Sequence, residues 1–292
     1  MGIRMPHLKT ENGFTLYEMM LAAALSGIVL VAVHAVYKSQ QKSYVNQSVV
    51  SAIQQNLRGA MCCLQRDIRL AGYDPLATGN FGITDVGTDA RGNGTLTFTL
   101  DDDLNHILNE TDGNGQVDHR ETFVFSLYDY PTASPDGVPD LGRKHGASRQ
   151  LVAQNIQAMG FAYAFDAAGD GDDSLDRDVN GHIIWAVDSN DDNLLDVNLD
   201  SDNDGDIDAD DDPKGKSLSH PDNGGLADIP LSDIRAVRIW LLAGADERDP
   251  AYRHSEKVFV VSNRRLRPEN GFRYRLLIST IRCRNLGIPS NH

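Results

Sequence analysis

Aspartate and asparagine recur at alternate positions through one stretch of the chain, and the pattern repeats every twelve residues. Asp176-Arg-Asp178-Val-Asn180-Gly181 opens one unit, Asp188-Ser-Asn190-Asp-Asp192-Asn193 the next, and Asp200-Ser-Asp202-Asn-Asp204-Gly205 the third. Oxygen side chains at the first, third and fifth places converge on one side of a loop, and Gly or Asn at the sixth tolerates the sharp turn that convergence needs. Hard oxygen donors without Cys or paired His select Ca²⁺ over zinc or copper. The third unit is the most complete, continuing with Asp206, Ile207 at the apolar eighth place, Asp208 at the ninth and Asp211 at the twelfth. The second reaches Asp196 at its ninth place, so Asp188, Asn190, Asp192 and Asp196 are its expected ligands. The first carries Ile184 and Val187 at its ninth and twelfth places, and Ile183–Val187 reads better as a short strand. A separate loop has the same logic: Glu110, Asp112, Asn114, Asp118 and Glu121, with Gly115 at the turn and Val117 at the apolar place. The competing reading of all these loops is solvated acidic chain without an ion.

The chain has 292 residues and a net charge of −15, but the charge is local. Between Asp166 and Asp212 stand eighteen Asp, no Glu and one basic residue, Arg177, a net of −17 that leaves the rest at +2. Acid concentrated this way describes a site, and with no basic patch to offset it no nucleic-acid contact is expected. Asp211 replaces the longer bidentate Glu of a helix-flanked calcium loop, and Asp212-Pro213 gives no support to an exiting helix. The loops therefore resemble thrombospondin type 3 repeats, with affinity suited to extracellular calcium at about 10⁻⁴–10⁻³ M. The nine histidines are scattered and no nucleophile–base pair is recognisable, so the chain is read as not an enzyme.

A second chemical feature stands at the other end. Phe14 to Tyr37 contains no Lys or Arg and is long enough to span most of a bilayer, with Arg4 and Lys9 ahead of it to keep the first residues cytoplasmic. Glu18 lies one turn into this run, where a carboxylate at the bilayer centre costs roughly 2.5–3.5 kcal/mol and needs a partner charge. An export signal cut near Ala24 would discard the helix and leave Glu18 without a purpose. The polar leader ending in Gly13, followed by Phe14-Thr15-Leu16-Tyr17-Glu18, resembles the type IV prepilin signal. The resemblance implies a peptidase cut between Gly13 and Phe14 on the cytoplasmic side, methylation of the new amine, and retention of the apolar helix. It also implies that Glu18 pairs with the Phe14 amine of a neighbouring subunit during assembly.

These two features need elements to carry them. No proline falls between Glu11 and Asp74, and Val45, Val49, Ile53, Leu57, Ala60/Met61, Leu64 and Ile68 form a helical stripe, so one helix of over fifty residues ending at Gly72 is expected. Strands are expected over Thr95–Leu100, Glu121–Tyr128, Ile156–Phe165, Ile234–Leu242, Lys257–Val261 and Arg273–Cys283, separated by Gly, Pro and Asp. No βαβ alternation appears. The fold class is α+β: a cleaved leader over 1–13, a transmembrane or filament-core helix over 14–37, an amphipathic stem over 38–72, and an antiparallel β-rich head over 73–292 with an acidic calcium-loop insertion at 166–212.

Three segments narrow the resemblance. Gln65-Arg66-Asp67-Ile68-Arg69-Leu70-Ala71-Gly72-Tyr73, Ile156–Tyr163 and the ending Tyr274–Leu286 are similar to the stem end, central strand and terminus of the PilW family of minor pilins. By that resemblance the chain is a minor pilin of a type IV pilus with the type IV pilin fold, acting in assembly initiation or the tip complex of a fimbrium used in adhesion or motility. Its partners would be other minor and major pilins, prepilin peptidase, an inner-membrane assembly platform and a tip adhesin. The head would face the periplasm before assembly and the exterior after it. A type II secretion pseudopilin of the J type is the alternative. A major pilin fits less well, because Ala35 stands where those subunits carry a helix-kinking Pro.

Of three cysteines, Cys63 lies beside the stem's apolar stripe and Cys62 nearly opposite it, while Cys283 is in phase with Leu277 and Ile281 on the last strand. In an oxidising compartment the phase favours a Cys63–Cys283 bridge, with three reduced thiols as the alternative.

Overall fold

The computed structural model describes residues 13–75, 81–101, 104, 108, 121–131, 137–167, 174–250, 252–253, 257–267 and 269–286. The leader over 1–12 lies outside them, as do Glu110, Asp112, Asn114 and Asp118 of the separate candidate loop. Glu121, that loop's last residue, is described and buried at the entry to a strand. The chain divides into two compact units, residues 1–49 and 50–292, and helix α1 (Leu16–Ile68) contributes to both.

In the first unit α1 opens with a reciprocal cap. The Glu18 N–H donates to Thr15 Oγ1 at 3.2 Å, while the Thr15 N–H and hydroxyl both donate to Glu18 Oε2 at 2.9 Å. Thr15 at the cap and Glu18 three residues on satisfy donors that the first turn leaves open. The helix beyond is long and apolar enough to cross a membrane, and its most apolar stretch buries nothing within this chain.

In the second unit the predicted stripe is buried from Ile53 onward: Ile53, Leu57, Ala60, Met61, Leu64 and Ile68. Each large apolar side chain removed from water contributes roughly 1.5–3 kcal/mol. Val45 at the upper end of the stripe is exposed. The helix proper stops at Ile68 and tightens into a turn, with Leu70 N–H bonding to Asp67 O and Ala71 N–H to Ile68 O. Gly72 follows at φ 74°, a left-handed backbone that favours glycine.

Five strands form one antiparallel meander: β1 (Ile83–Thr88), β2 (Gly94–Thr99), β3 (Thr122–Asp129), β4 (Pro139–His145) and β5 (Ser148–Ala153). Next in the chain come β6 (Ile156–Phe165), β7 (Ala186–Val187), β8 (Leu194–Leu195), β9 (Val197–Asn198), β10 (Lys216–Ser217), β11 (Ile229–Pro230), β12 (Ile234–Gly244), β13 (Phe259–Val261), β14 (Arg264–Leu266) and β15 (Tyr274–Arg282). A six-stranded antiparallel sheet runs in the order β10-β9-β7-β6-β12-β15, with β8–β11 and β13–β14 as small ribbons. The architecture is the expected α+β class. The two-residue strands β8–β11 and the ribbon strand β14 were not expected, nor were β1, β4 and β5 of the meander. The sequences of these last three, ITDVGT, PDLGRKH and SRQLVA, carry Asp, Gly, Pro and basic residues that weaken a strand pattern, and they form because the meander supplies partners for their backbones.

The two faces of the six-stranded sheet bury different things. Gln65 of α1 donates to Ser279 Oγ at 2.7 Å, and Ser279 stands opposite Ile239, which shares its face with Val237 and Leu241. That face meets the stem. The other carries Ala236, Trp240 and Leu242 of β12 with Ala158, Ala162 and Ala164 of β6, and forms a second core. Trp185 and Leu199 of the acidic segment pack onto it, as do Phe259 and Val261 of the β13–β14 ribbon. Close approach of that ribbon requires Gly160, where a Cβ would lie 2.7 Å from Ser262 Cβ.

The cysteine expectation is corrected here: Cys62, Cys63 and Cys283 are free thiols. Cys63 lies among Asp67, Arg66 and Arg143, toward the five-stranded sheet, whereas Cys283 lies by Tyr163 of the six-stranded sheet. The helical phase was right about which stem cysteine turns inward, but the sheet it turns toward belongs to β4.

Candidate metal-binding segment

The acidic segment is not an appended loop. Its short strands β7 and β9 extend the sheet from β6, and Trp185 beneath them takes the Arg238 guanidinium 4.3 Å from its ring centroid. Apolar residues spaced through the acid (Ile183, Trp185, Leu199, Ile207) anchor the segment to the second core and leave the carboxylates to shape the loops.

In the third unit Asp200 is buried, and its carboxylate accepts the N–H groups of Asp204 at 3.2 Å and Gly205 at 2.9 Å. Asp202 Oδ1 accepts from Asp204 N–H, and Asp204 Oδ1 from Asp206 N–H. Asn203 and Gly205 take left-handed backbones at φ 62° and 97°, the turn that the sixth place was expected to make. One carboxylate oxygen each from Asp200, Asp202 and Asp204 lies within 4.8 Å of the others. The loop thus assembles three hard oxygen donors in the spacing of a calcium site.

Asp211, expected at the twelfth place, does different work. Its Oδ1 accepts from Ser201 N–H at 2.6 Å and Ser201 Oγ–H at 3.1 Å, and its Oδ2 from Asp208 N–H at 2.9 Å. It braces the loop. Asp206 and Asp208 are likewise outside the three-carboxylate group.

The second unit repeats the geometry. Asp188 accepts the N–H groups of Asn190, Asp192 and Asn193 at 3.1, 3.3 and 2.7 Å. Asn190 donates its amide to Asp192 Oδ2 at 3.0 Å. Asp196 holds Ser189 through both its N–H and its hydroxyl, as Asp211 holds Ser201. Asn193 Oδ1 also accepts from Val86 N–H of β1, so this loop reaches the five-stranded sheet.

The first unit departs from its expected phase. The loop-leading carboxylate is Asp178, not Asp176, and it accepts the N–H groups of Asn180 at 2.9 Å and His182 at 2.8 Å. Asp176 accepts instead from Ala167 N–H. Asp178, His182 and Asp200 form a second group of close ligand atoms. Asn203 links it: its amide donates to Asp178 Oδ2 at 2.9 Å, and its carbonyl lies 3.0 Å from His182 Nδ1. Lys216 Nζ reaches Asn203 Oδ1 and stands 3.1 Å from Asp222. The twelve-residue repeat gives no hint of this group, because Asp178 and Asp200 belong to different units and meet only when the loops stack.

Burial separates the two central carboxyls. Loss of solvent raises the Asp200 carboxyl, and the nearby Asp211 adds to the rise against the backbone N–H groups that oppose it. Burial also pushes on Asp178, but the Asn203 amide and the His182 and Asn180 N–H groups outweigh it and hold that carboxyl below its ordinary value. Arg238 is lowered by its own burial, while Asp206 and Asp200 nearby favour its charge.

No protein-family model and no characterised protein matches the chain. Among solved structures it is similar to a type IV-like pilin from Thermus thermophilus, at 12% sequence identity and a TM-score of 0.40, over 80% of this chain and 97% of that one.

Proposed function

We propose that this chain is a pilin-like subunit of a type IV pilus-type filament, more finely a PilW-type minor pilin acting in assembly initiation or at the tip. The observation that carries the reading is the run Gly13-Phe14-Thr15-Leu16-Tyr17-Glu18 at the start of a helix whose apolar residues are exposed for twenty residues beyond it. Exposed Leu, Ile and Val at this density have no place in water and need a bilayer or other apolar helices around them. A precursor held in the inner membrane with its head in the periplasm, then drawn into a filament core, meets that need twice. Glu18 is capped by Thr15, no basic side chain among the described residues contacts it, and the freed Phe14 amine of a neighbouring subunit would supply the missing charge. The experiment is mass spectrometry of the mature amino terminus: methylated Phe14 is expected, and a start beyond Ala24 excludes the reading.

We further infer that Asp200–Asp211 takes Ca²⁺, with Asp200, Asp202 and Asp204 as carboxylate ligands and Asp211 as their brace. The support is the convergence of the three oxygens on a loop already turned by Asn203 and Gly205. Ca²⁺ would neutralise acid packed beside the second core.

A further inference from the structure

At one end of the six-stranded sheet the second core opens into a cavity of about 470 Å³, a size common to small-molecule sites. It sits where β12 ends and β15 begins, and none of the residues that line it belongs to the acidic loops. Its apolar wall is Leu242, Phe272 and Tyr274, continuous with the core. The Tyr274 ring is held against Gly244, where a Cβ would come within 3.0 Å of it.

The mouth is polar, and part of it is fixed in place. Asn155 takes a left-handed backbone at φ 57°, donates its N–H to Asp140 Oδ1 at 2.8 Å, and gives its side-chain amide to Asp246. The Asp246 carboxylate is thereby oriented at the rim. Glu269 and Arg267 complete the rim. Carboxylates and a guanidinium around one mouth do not build a field of one sign. They do supply planar donors and acceptors at several angles above an apolar, aromatic wall. A pyranose has the matching chemistry, with a C–H face to lie on aromatic carbon and hydroxyls in its plane that both donate and accept.

We propose that this cavity is a carbohydrate-binding site that takes one neutral hexose unit of a glycan, with Phe272 and Tyr274 as its apolar wall and Asp246 and Arg267 bonding its hydroxyls. The full-length protein, held in a detergent without a sugar headgroup, is tested by saturation-transfer NMR against the methyl glycosides of glucose, galactose, mannose and N-acetylglucosamine. At least one should receive saturation. Phe272→Ala and, separately, Asp246→Ala should each weaken it about tenfold, the equivalent of 1.4 kcal/mol. Arg267→Ala, at an exposed position, provides a third variant if either of the others lowers the unfolding temperature. The proposal is overturned if no glycoside binds, if binding survives all correctly folded variants within twofold, or if choline binds where no glycoside does.

Discussion

Asp67, near the end of the stem helix, places Oδ2 at 3.0 Å from Nη1 of Arg143 on β4, with side chains only 7% and 17% exposed. In sequence Asp67 reads as part of a charged helix end, and Arg66 does contact it at 2.9 Å. Arg143 is the deeper partner, 76 residues away in the chain, and it ties the stem to the five-stranded sheet. Asp67→Ala should destabilise the protein by about 1–3 kcal/mol, because the half-buried Arg143 is left without its counter-charge. The joint replacement Asp67→Leu with Arg143→Met should recover most of that loss. Urea unfolding of the single and double variants measures both, and equal losses would contradict the pairing.

Glu18→Ala should leave cleavage at Gly13 and the head intact, and should reduce the amount of the subunit recovered in sheared filaments. The substitution removes the carboxylate that accepts from the Thr15 N–H and hydroxyl but leaves the bond from the residue-18 N–H to Thr15 Oγ1, so half of the reciprocal cap survives. The discriminating comparison is Glu18→Gln, which can still bond Thr15 but carries no charge. Recovery restored by Gln would mean capping, and not charge pairing, is what assembly needs.

Calorimetric titration of Ca²⁺ should reveal at least one site at about 10⁻⁴–10⁻³ M or tighter. Asp202→Ala with Asp204→Ala should abolish it. Asp211→Ala should only weaken it, since that carboxylate is spent on Ser201 and Asp208. An Asp211 variant as silent as the double variant would make Asp211 a ligand after all.

The pH response of the calcium-free protein follows from Asp178. Its carboxyl is held below the unfolded value, so its charge contributes stability above the ordinary carboxylate range, and that contribution is lost as pH falls through the lowered value. Asp178→Asn should therefore be less stable than the parent at neutral pH, with the gap closing in acid. Asp200, raised by burial, works with the opposite sign. Urea midpoints across a pH series report the gap, and a constant difference would count against the assignment.

Native alkylation should label exposed Cys62 first. Cys283 should react only after unfolding, because burial pushes its thiol to about 12 and leaves almost no thiolate. Unfolding without reductant should expose three thiols, and a bridged peptide in non-reducing mapping would contradict the structure.

What could be read from the sequence was whatever depends on near neighbours. A helix declares its period within a turn, so the long α1 and its buried stripe from Ile53 to Ile68 were legible, as was β6, whose predicted bounds Ile156–Phe165 are those observed. The Asp200 loop was legible for the same reason: its donors and its turn residues lie within six positions. Contacts between segments far apart were not. Strand β4, with its Pro, Gly and charged residues, forms only against β3, and the largely polar β5 only against β4. Asp211 became a brace because Ser201 turned toward it, Asp178 met Asp200 because two loops stacked, and Cys63 faced Arg143 because the helix lay against the other sheet. Spacing specifies which side chains can share a turn, whereas the partner of a buried charge or thiol is set by which surfaces close over it when the sheets pack.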